Sequence, residues 1–290
     1  MIETIIKLSF IFLWASAFVA AKLGLNDAGP FSMLAIRFII VSFIFSLILL
    51  ILKGKWPPKN QLLHLGLVGM FLHGFYLGGV FFAITRGTSA GISSLIVSVH
   101  PILTCLLAII FLKEKISIDK WLGILLGMIG VIIVISPRIG GEITLLGFLS
   151  CCIAVIGISI GTIIQKNFLS EMDILGGNTI QAIFASIFFI ILLLTIEPFK
   201  FNLTKELVIS MSWLIFLVSI GAISMLMFLI RIGKMSSTAS LFFLVPFVSA
   251  ILGYFIFDEK LGSFGVIGFI ITCTGVWLVV RERKNKPLSH

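Results

Sequence analysis

Apolar runs of about span length recur along the whole chain, separated by short polar breaks. They fall at 4–22, 30–52, 62–85, 89–112, 119–136, 143–164, 175–196, 207–230, 237–257 and 262–281. A hydrocarbon core ~30 Å thick is crossed by a helix of about twenty residues, so the pattern predicts ten transmembrane helices. No break is long enough for a soluble domain, and the only Pro- and Lys-rich connection is Lys53 to Lys59, which contains Trp56-Pro57-Pro58. Composition agrees: 59% of residues are hydrophobic and 11% charged, against roughly 25% charged in a soluble domain. The first run, Ile5 to Ala21, imitates a secretory leader, with Ala15-Ser16-Ala17 resembling a cleavage site. The apolar run continues past that point, and the chain reuses it in a repeat, so it is read as the first span.

The cations then orient the spans. With the N-terminus placed in the cytoplasm, the inner loops hold fourteen Lys and Arg and the outer loops six, with Arg37 alone inside a span. This bias predicts that both termini are cytoplasmic. It also explains the net charge of +9 without nucleic acid, because the cations sit between apolar runs and not on one face. The four cysteines (Cys105, Cys151, Cys152 and Cys273) lie inside apolar runs without metal-ligand spacing. They read as small core side chains.

Two stretches, Ser93 to Ile135 and Thr238 to Val280, are copies of each other at an offset of 145 positions. Pro101 falls on Pro246, Glu114-Lys115 on Glu259-Lys260, Gly123 on Gly268 and Gly130 on Gly275. An offset of 144 brings Lys22 onto Lys166 and Arg37 onto Gln181, and one of 145 brings Arg86 onto Arg231. The unit is therefore five helices, with the first repeat at 1–137 and the second at 138–290. Five is odd, so the second copy enters the membrane upside down. Inverted repeats of this kind are a signature of secondary transporters, whose substrate site lies near the midplane between the repeats.

Ten spans in a 5+5 arrangement, Trp14 followed by Lys22 and Arg37, and a proline followed thirteen residues later by Glu-Lys in each half resemble the drug/metabolite transporter superfamily, EamA type. The resemblance covers essentially the whole chain, and the Pro101–Glu114 and Pro246–Glu259 elements are its most specific part. It implies an exporter of amino acids, metabolites or drugs in the inner (plasma) membrane, with a central cavity lined by both halves. It does not name the substrate.

An ionisable group inside a span is costly and therefore a candidate site. The inventory is Arg37, His73 and His100, with Tyr76, Gln165, Asn178 and Gln181 as neutral polar groups; no Asp or Glu lies deep in a span. His73 and Tyr76 share a helix face beside Gly74, Gly78 and Gly79. That face either lines the cavity or packs closely against a neighbouring helix through its glycines. His100 precedes Pro101, whose ring removes a backbone hydrogen bond and leaves a carbonyl exposed. Pro101 and Pro246 otherwise read as matching kinks. Arg37 either meets a substrate carboxylate or has a structural role, snorkelling to the outer surface or pairing with helix-end carbonyls. Trp14, Gln165 and Phe243 complete the set of substrate-contact candidates. The Gly123-x-x-x-Gly127-x-x-Gly130 run and the Gly268, Thr272, Gly275 set are close-packing patterns without chemistry of their own.

The chain reads as an alternating-access carrier, not an enzyme, with no cofactor or metal. Its partners are a small-molecule substrate and the bilayer, as a monomer or homodimer. Without a Walker loop, ATP does not drive it directly. Proton coupling would fall to His73 or His100, since histidine is the side chain that titrates near neutral pH. The Arg and His inventory points to zwitterionic or anionic metabolites, amino acids first. A broad drug exporter and a sugar-phosphate or nucleotide-type antiporter are the alternatives, and a lipid-modifying membrane enzyme the remote one.

Overall fold

The computed structural model describes residues 2–112, 117–136, 143–168, 172–223, 225, 244–260 and 262–280. Within them, each predicted span is helical. The helices are α1 (Ile2–Gly24), α2 (Pro30–Ile51), α3 (Lys59–Thr85), α4 (Ala90–Val97 continued by His100–Leu112) and α5 (Ile118–Ile135). They continue with α6 (Leu145–Phe168), α7 (Ile174–Ile196), α8 (Lys205–Ala222), α9 (Val245–Phe257) and α10 (Ser263–Val280). Seven of these, α1 to α4 and α6 to α8, are long and apolar enough to cross a membrane.

Helix starts follow local chemistry. Pro30 opens α2 with no N–H to satisfy. The side chains of Ser89, Asp173 and Thr204 accept hydrogen bonds from the backbone N–H groups of Ile92, Gly176 and Leu207, and so cap α4, α7 and α8. Asp258 closes α9 in the left-handed conformation, at φ 54°.

Regular α-geometry is interrupted in α4, α3 and α8. At Ser98-Val99 the helix α4 yields to a turn before resuming at His100-Pro101. Inside α3 and α8 the coil widens to π-helix, over Gly69–Phe75 and Trp213–Ala222. The two segments start 144 positions apart (213 − 69), the offset that also relates Arg37 to Gln181.

The glycine patterns do the packing expected of them. Helices α5 and α10 run antiparallel in close contact: a Cβ on Gly123 would lie 2.6 Å from the Gly275 carbonyl oxygen, and one on Gly130 would lie 2.6 Å from that of Gly268. Since Gly268 is the copy of Gly123 and Gly275 the copy of Gly130, each glycine meets the copy of the other, as in a two-fold interface. Trp121, Leu122, Leu125 and Ile132 of α5 and Phe264, Ile267 and Ile270 of α10 point outward, the arrangement lipid requires. In α3, Gly79 lies against the Ser150 carbonyl of α6, while Gly157 and Gly161 of α6 lie against α3. The α3 glycines therefore serve helix contact.

Helix α2 packs along α7, and here a carboxylate does the capping. Glu197, just past α7, accepts hydrogen bonds from Ser32 N–H (2.6 Å), Ser32 Oγ–H (2.7 Å) and Phe31 N–H (3.2 Å). It neutralises the positive end of α2. Replacing it by Ala strands these donors, and we expect a loss of about 2 kcal/mol. Glu197→Gln, which keeps the acceptor oxygen but not the charge, should recover roughly half; thermal unfolding of the detergent-solubilised protein reads both.

Candidate functional site

The break in α4 opens onto a small cavity halfway along the helices, about 20 Å³ in volume. Its walls are Trp14 and Phe18 of α1, Tyr76 of α3, Ser94, Val97, Ser98 and His100 around the α4 break, Ile158 of α6 and Val245 of α9. At 1.5 Å per residue, Trp14, Tyr76 and His100 each lie about 15 Å from the nearest end of their helix segment or span. Three expected residues from three different helices thus converge at mid-depth. Val245, the copy of His100 at offset 145, lines the same cavity, so equivalent positions of the two halves share it.

The chemistry of the break is local. Pro101 cannot donate to the Val97 carbonyl four residues earlier. His100 answers that carbonyl instead: its Nδ1 lies 3.1 Å from Val97 O. A carbonyl only accepts, so Nδ1 carries the proton. The ring's Nε2 is then the basic nitrogen. Ser159 of α6 donates to the His100 carbonyl at 3.1 Å, which pins the kink to its neighbour. Ser94 and Ser98 return their hydroxyls to Gly91 O and Leu95 O, leaving their oxygens as acceptors toward the cavity wall.

Tyr76 connects the cavity to a second polar group. Its hydroxyl hydrogen-bonds with the Trp14 side chain and lies within electrostatic reach of Arg37. Arg37 is only 4% exposed. Its Nε and Nη2 donate to Ser219 Oγ at 3.2 and 2.9 Å, and its Cζ lies 5.6 Å from the Phe38 ring. His73 hydrogen-bonds with the Gln181 side chain and packs 5.3 Å from the Phe38 ring. Arg37 and His73 therefore stand behind the cavity wall, not in it.

The remaining candidates separate. Gln165 is half-buried seven residues beyond Ile158, about 10 Å along α6, and does not line the cavity. Pro246 is buried and opens the described part of α9. Phe243 lies outside the described residues.

An ion pair ties the helices together toward one end of the bundle. Lys22 Nζ lies 2.7 Å from Glu259 Oε1 and 4.5 Å from the Phe257 ring centroid. The same carboxylate accepts from the N–H groups of Ala90 (3.1 Å) and Gly91 (3.3 Å). Glu259 thus ties α1 and the start of α4 to the turn after α9, about 12 Å above Trp14 along α1. Neither this tie nor Ser219 stood out in the sequence. Glu259 was visible only as half of a repeated Glu-Lys, and Ser219 was one serine among many in apolar runs.

Comparison with known proteins gives this architecture a family. The sequence profile described as the EamA-like transporter family matches residues 2–136 and again 145–281. The chain belongs to the EamA-like transporter family. It is 27% identical over 279 residues to an uncharacterized transporter of Archaeoglobus fulgidus, covering 93% of this chain and 95% of that one. It is 25% identical over 294 residues to a probable amino-acid metabolite efflux pump of Escherichia coli K12, covering 96% and 94%. A solved crystal structure shares the fold at a TM-score of 0.68, with 17% identity and 95% of each chain covered. This EamA-like protein is a multi-pass membrane transporter and not an enzyme.

Proposed function

We propose that this EamA-like protein is a secondary carrier that exports small metabolites, amino acids first, by alternating access of two inverted five-helix halves. The observation that carries the reading is the mid-depth cavity at the broken α4, walled by Trp14, Tyr76 and His100 of the first half and by Ile158 and Val245 of the second. Discontinuous helices at a midplane site between repeats are what such carriers use to bind substrate. The reciprocal glycine pairing of α5 with α10, the matched π-segments of α3 and α8 and the two separate profile matches support two related halves. By the Lys and Arg bias, the end tied by Lys22 and Glu259 is the outer one. The efflux-pump name of the E. coli relative supports export and amino acids. The cavity has an apolar aromatic flank and a polar Ser-His flank, which suits a substrate with an apolar side chain and a charged head.

His100 is the residue in the cavity able to exchange a proton, through Nε2, and His73 is the second proton-coupling candidate through its bond to Gln181. The test is uptake of a panel of labelled amino acids into proteoliposomes, with and without a pH gradient. Wild type should transport saturably. Ser98→Phe, which fills the cavity while its hydroxyl leaves only a bond within its own helix, should lower uptake at least about tenfold, a loss of ~1.4 kcal/mol in barrier terms. Its thermal midpoint should stay close to wild type. A gradient response that His100→Ala abolishes supports proton coupling through the cavity. Uptake that Ser98→Phe leaves untouched would remove this cavity from the pathway.

A further inference from the structure

The polar group behind Tyr76 is unusual in its balance of donors and charge. Arg37 brings a full positive charge into the bundle interior, and its hydrogen-bond partner is a neutral hydroxyl, Ser219 Oγ. Among the described residues no carboxylate lies within ion-pair distance of it. None can come from elsewhere at that depth, because no Asp or Glu of the chain sits deep in a span. Gln181 faces the same region from α7 and is 1% exposed. Its amide Nε2 has no hydrogen-bond partner, so its bond to His73 is made through the oxygen, with the ring N–H donating. The group therefore presents a guanidinium and an amide N–H₂ with more donors than acceptors, and a net charge of +1.

The arrangement also has an internal logic. Arg37 and Gln181 are copies of each other at offset 144, and their partners Ser219 and His73 sit in the matching π-segments of α8 and α3. The bonds Arg37–Ser219 and Gln181–His73 are thus similar contacts at neighbouring but not equivalent positions, since His73 falls on Leu217 at offset 144, two residues before Ser219. One half carries the charge and the other a neutral donor. π-Segments are concentrated at functional positions because they re-aim side chains. Tyr76, which lines the cavity and faces Arg37, is the shared wall between group and cavity.

From this geometry we infer that Arg37 and Gln181 form an anion subsite behind the Tyr76 wall of the cavity that binds a carboxylate, with Arg37 as the residue that selects charge. This rests on the reading of the cavity as the substrate site. The guanidinium supplies two parallel N–H donors to a planar carboxylate, and Gln181 Nε2 supplies a neutral third. The positive field, poorly screened in the bundle interior, disfavours organic cations in the cavity. Substrates with a carboxylate, anionic or zwitterionic, are preferred over their amine analogues.

Two measurements on the purified full-length protein test it. The first follows thermal unfolding while sodium acetate or sodium chloride replaces the sodium salt of a bulky sulfonate at constant ionic strength. Acetate should raise the midpoint saturably in wild type. The rise should vanish in Arg37→Gln and persist in part in Arg37→Lys, which keeps the charge if the first variant folds poorly. An acetate response without a chloride response assigns the site to substrate carboxylates. Equal responses assign it to a small inorganic anion and overturn the carboxylate assignment. No saturable response in wild type, or an equal response in Arg37→Gln, overturns the anion subsite. The second measurement compares uptake of phenylalanine and of phenethylamine, which lacks only the carboxylate. The ratio should fall about tenfold in Arg37→Gln, the worth of ~1.4 kcal/mol. An unchanged ratio overturns the selective role while leaving a transport-competent cavity in place. Acetate binding through Arg37 in a protein that transports neither compound would keep the subsite and sink the amino-acid reading instead.

Discussion

Gly130→Val should be the most damaging single substitution in the bundle, lowering stability by roughly 3 kcal/mol or more. A Cβ at Gly130 meets the backbone N and the Oγ1 of Thr272 and, at 2.6 Å, the carbonyl oxygen of Gly268. Two of these three atoms are main chain, which no rotamer change can move aside. The helices α5 and α10 would have to separate along their contact. In a membrane that contact is held by close packing and not by the expulsion of water, so a small separation forfeits much of the attraction. Gly275→Val should behave alike, since its Cβ meets the Gly127 backbone. Gly262→Ala is the matched control, because nothing lies within 4 Å of its Cβ. Thermal unfolding in a mild detergent would show a drop of roughly 10 °C for the first two and almost none for the third. Equal midpoints for Gly130→Val and Gly262→Ala would mean that the α5–α10 contact is not a stabilising interface.

Glu259→Gln is expected to act on conformation as well as stability. The carboxylate holds Lys22 at 2.7 Å and two N–H groups at the start of α4. The amide keeps an acceptor oxygen but has no charge for Lys22 and none for the helix dipole. The loss should be about 2–3 kcal/mol, the range for hydrogen bonds to charged groups, partly discounted because Lys22 retains water contact. On the proposed alternating-access reading, weakening this tie favours the state in which that end is open. A cysteine introduced at Phe18, in the cavity wall below the tie, should therefore react faster with a membrane-impermeant maleimide added outside when Glu259 is Gln. The background would carry Ser at the four native cysteines. Lys22→Gln should reproduce the effect, and the double variant should add little to either single one, since the two residues share one interaction. Labelling that is unchanged in both variants would reduce the ion pair to a surface ornament.

Much of this architecture could be read from the order of residues, for identifiable reasons. Span-length apolar runs report helices because hydrocarbon admits almost nothing else. Glycines at 123, 127, 130, 268 and 275 report contact because nothing but hydrogen can occupy the closest approach of two backbones. Pro101 announced the break in α4, and the ring beside it proved to serve the very carbonyl the proline abandons. Trp14, Tyr76 and His100 met in one cavity because each is an amphipathic or polar side chain at mid-span, where a polar tip needs a polar neighbour.

What stayed hidden depends on distant partners. Ser219 gives no sign in the sequence that it holds Arg37, since a serine in an apolar helix usually returns its hydroxyl to its own backbone, as Ser94 and Ser98 do here. Glu197 and Glu259 look like ordinary turn acids, and their targets lie about 165 to 237 positions away. The placement of Arg37 and His73 behind Tyr76, and not beside it in the cavity, follows from how α2, α3 and α7 rotate against one another. Helical periodicity fixes which residues share a face but not how far that face is turned toward a neighbour.

The π-segments bear on how the two stretches matched by the family profile keep in step. Matching residues stand 144 apart at Arg37 and Gln181 but 145 apart at Arg86 and Arg231, so one residue enters the second copy between those pairs. In that interval α8 is π-helical over ten residues, where α3 is so over seven. A residue added to an α-helix turns everything after it by about 100° unless a turn widens to absorb it. Widening keeps Trp213 against Ser16 of α1 before the added residue and Ser219 against Arg37 of α2 further along. Two matching stretches of one chain can thus differ in length without re-aiming the side chains that they must still offer each other.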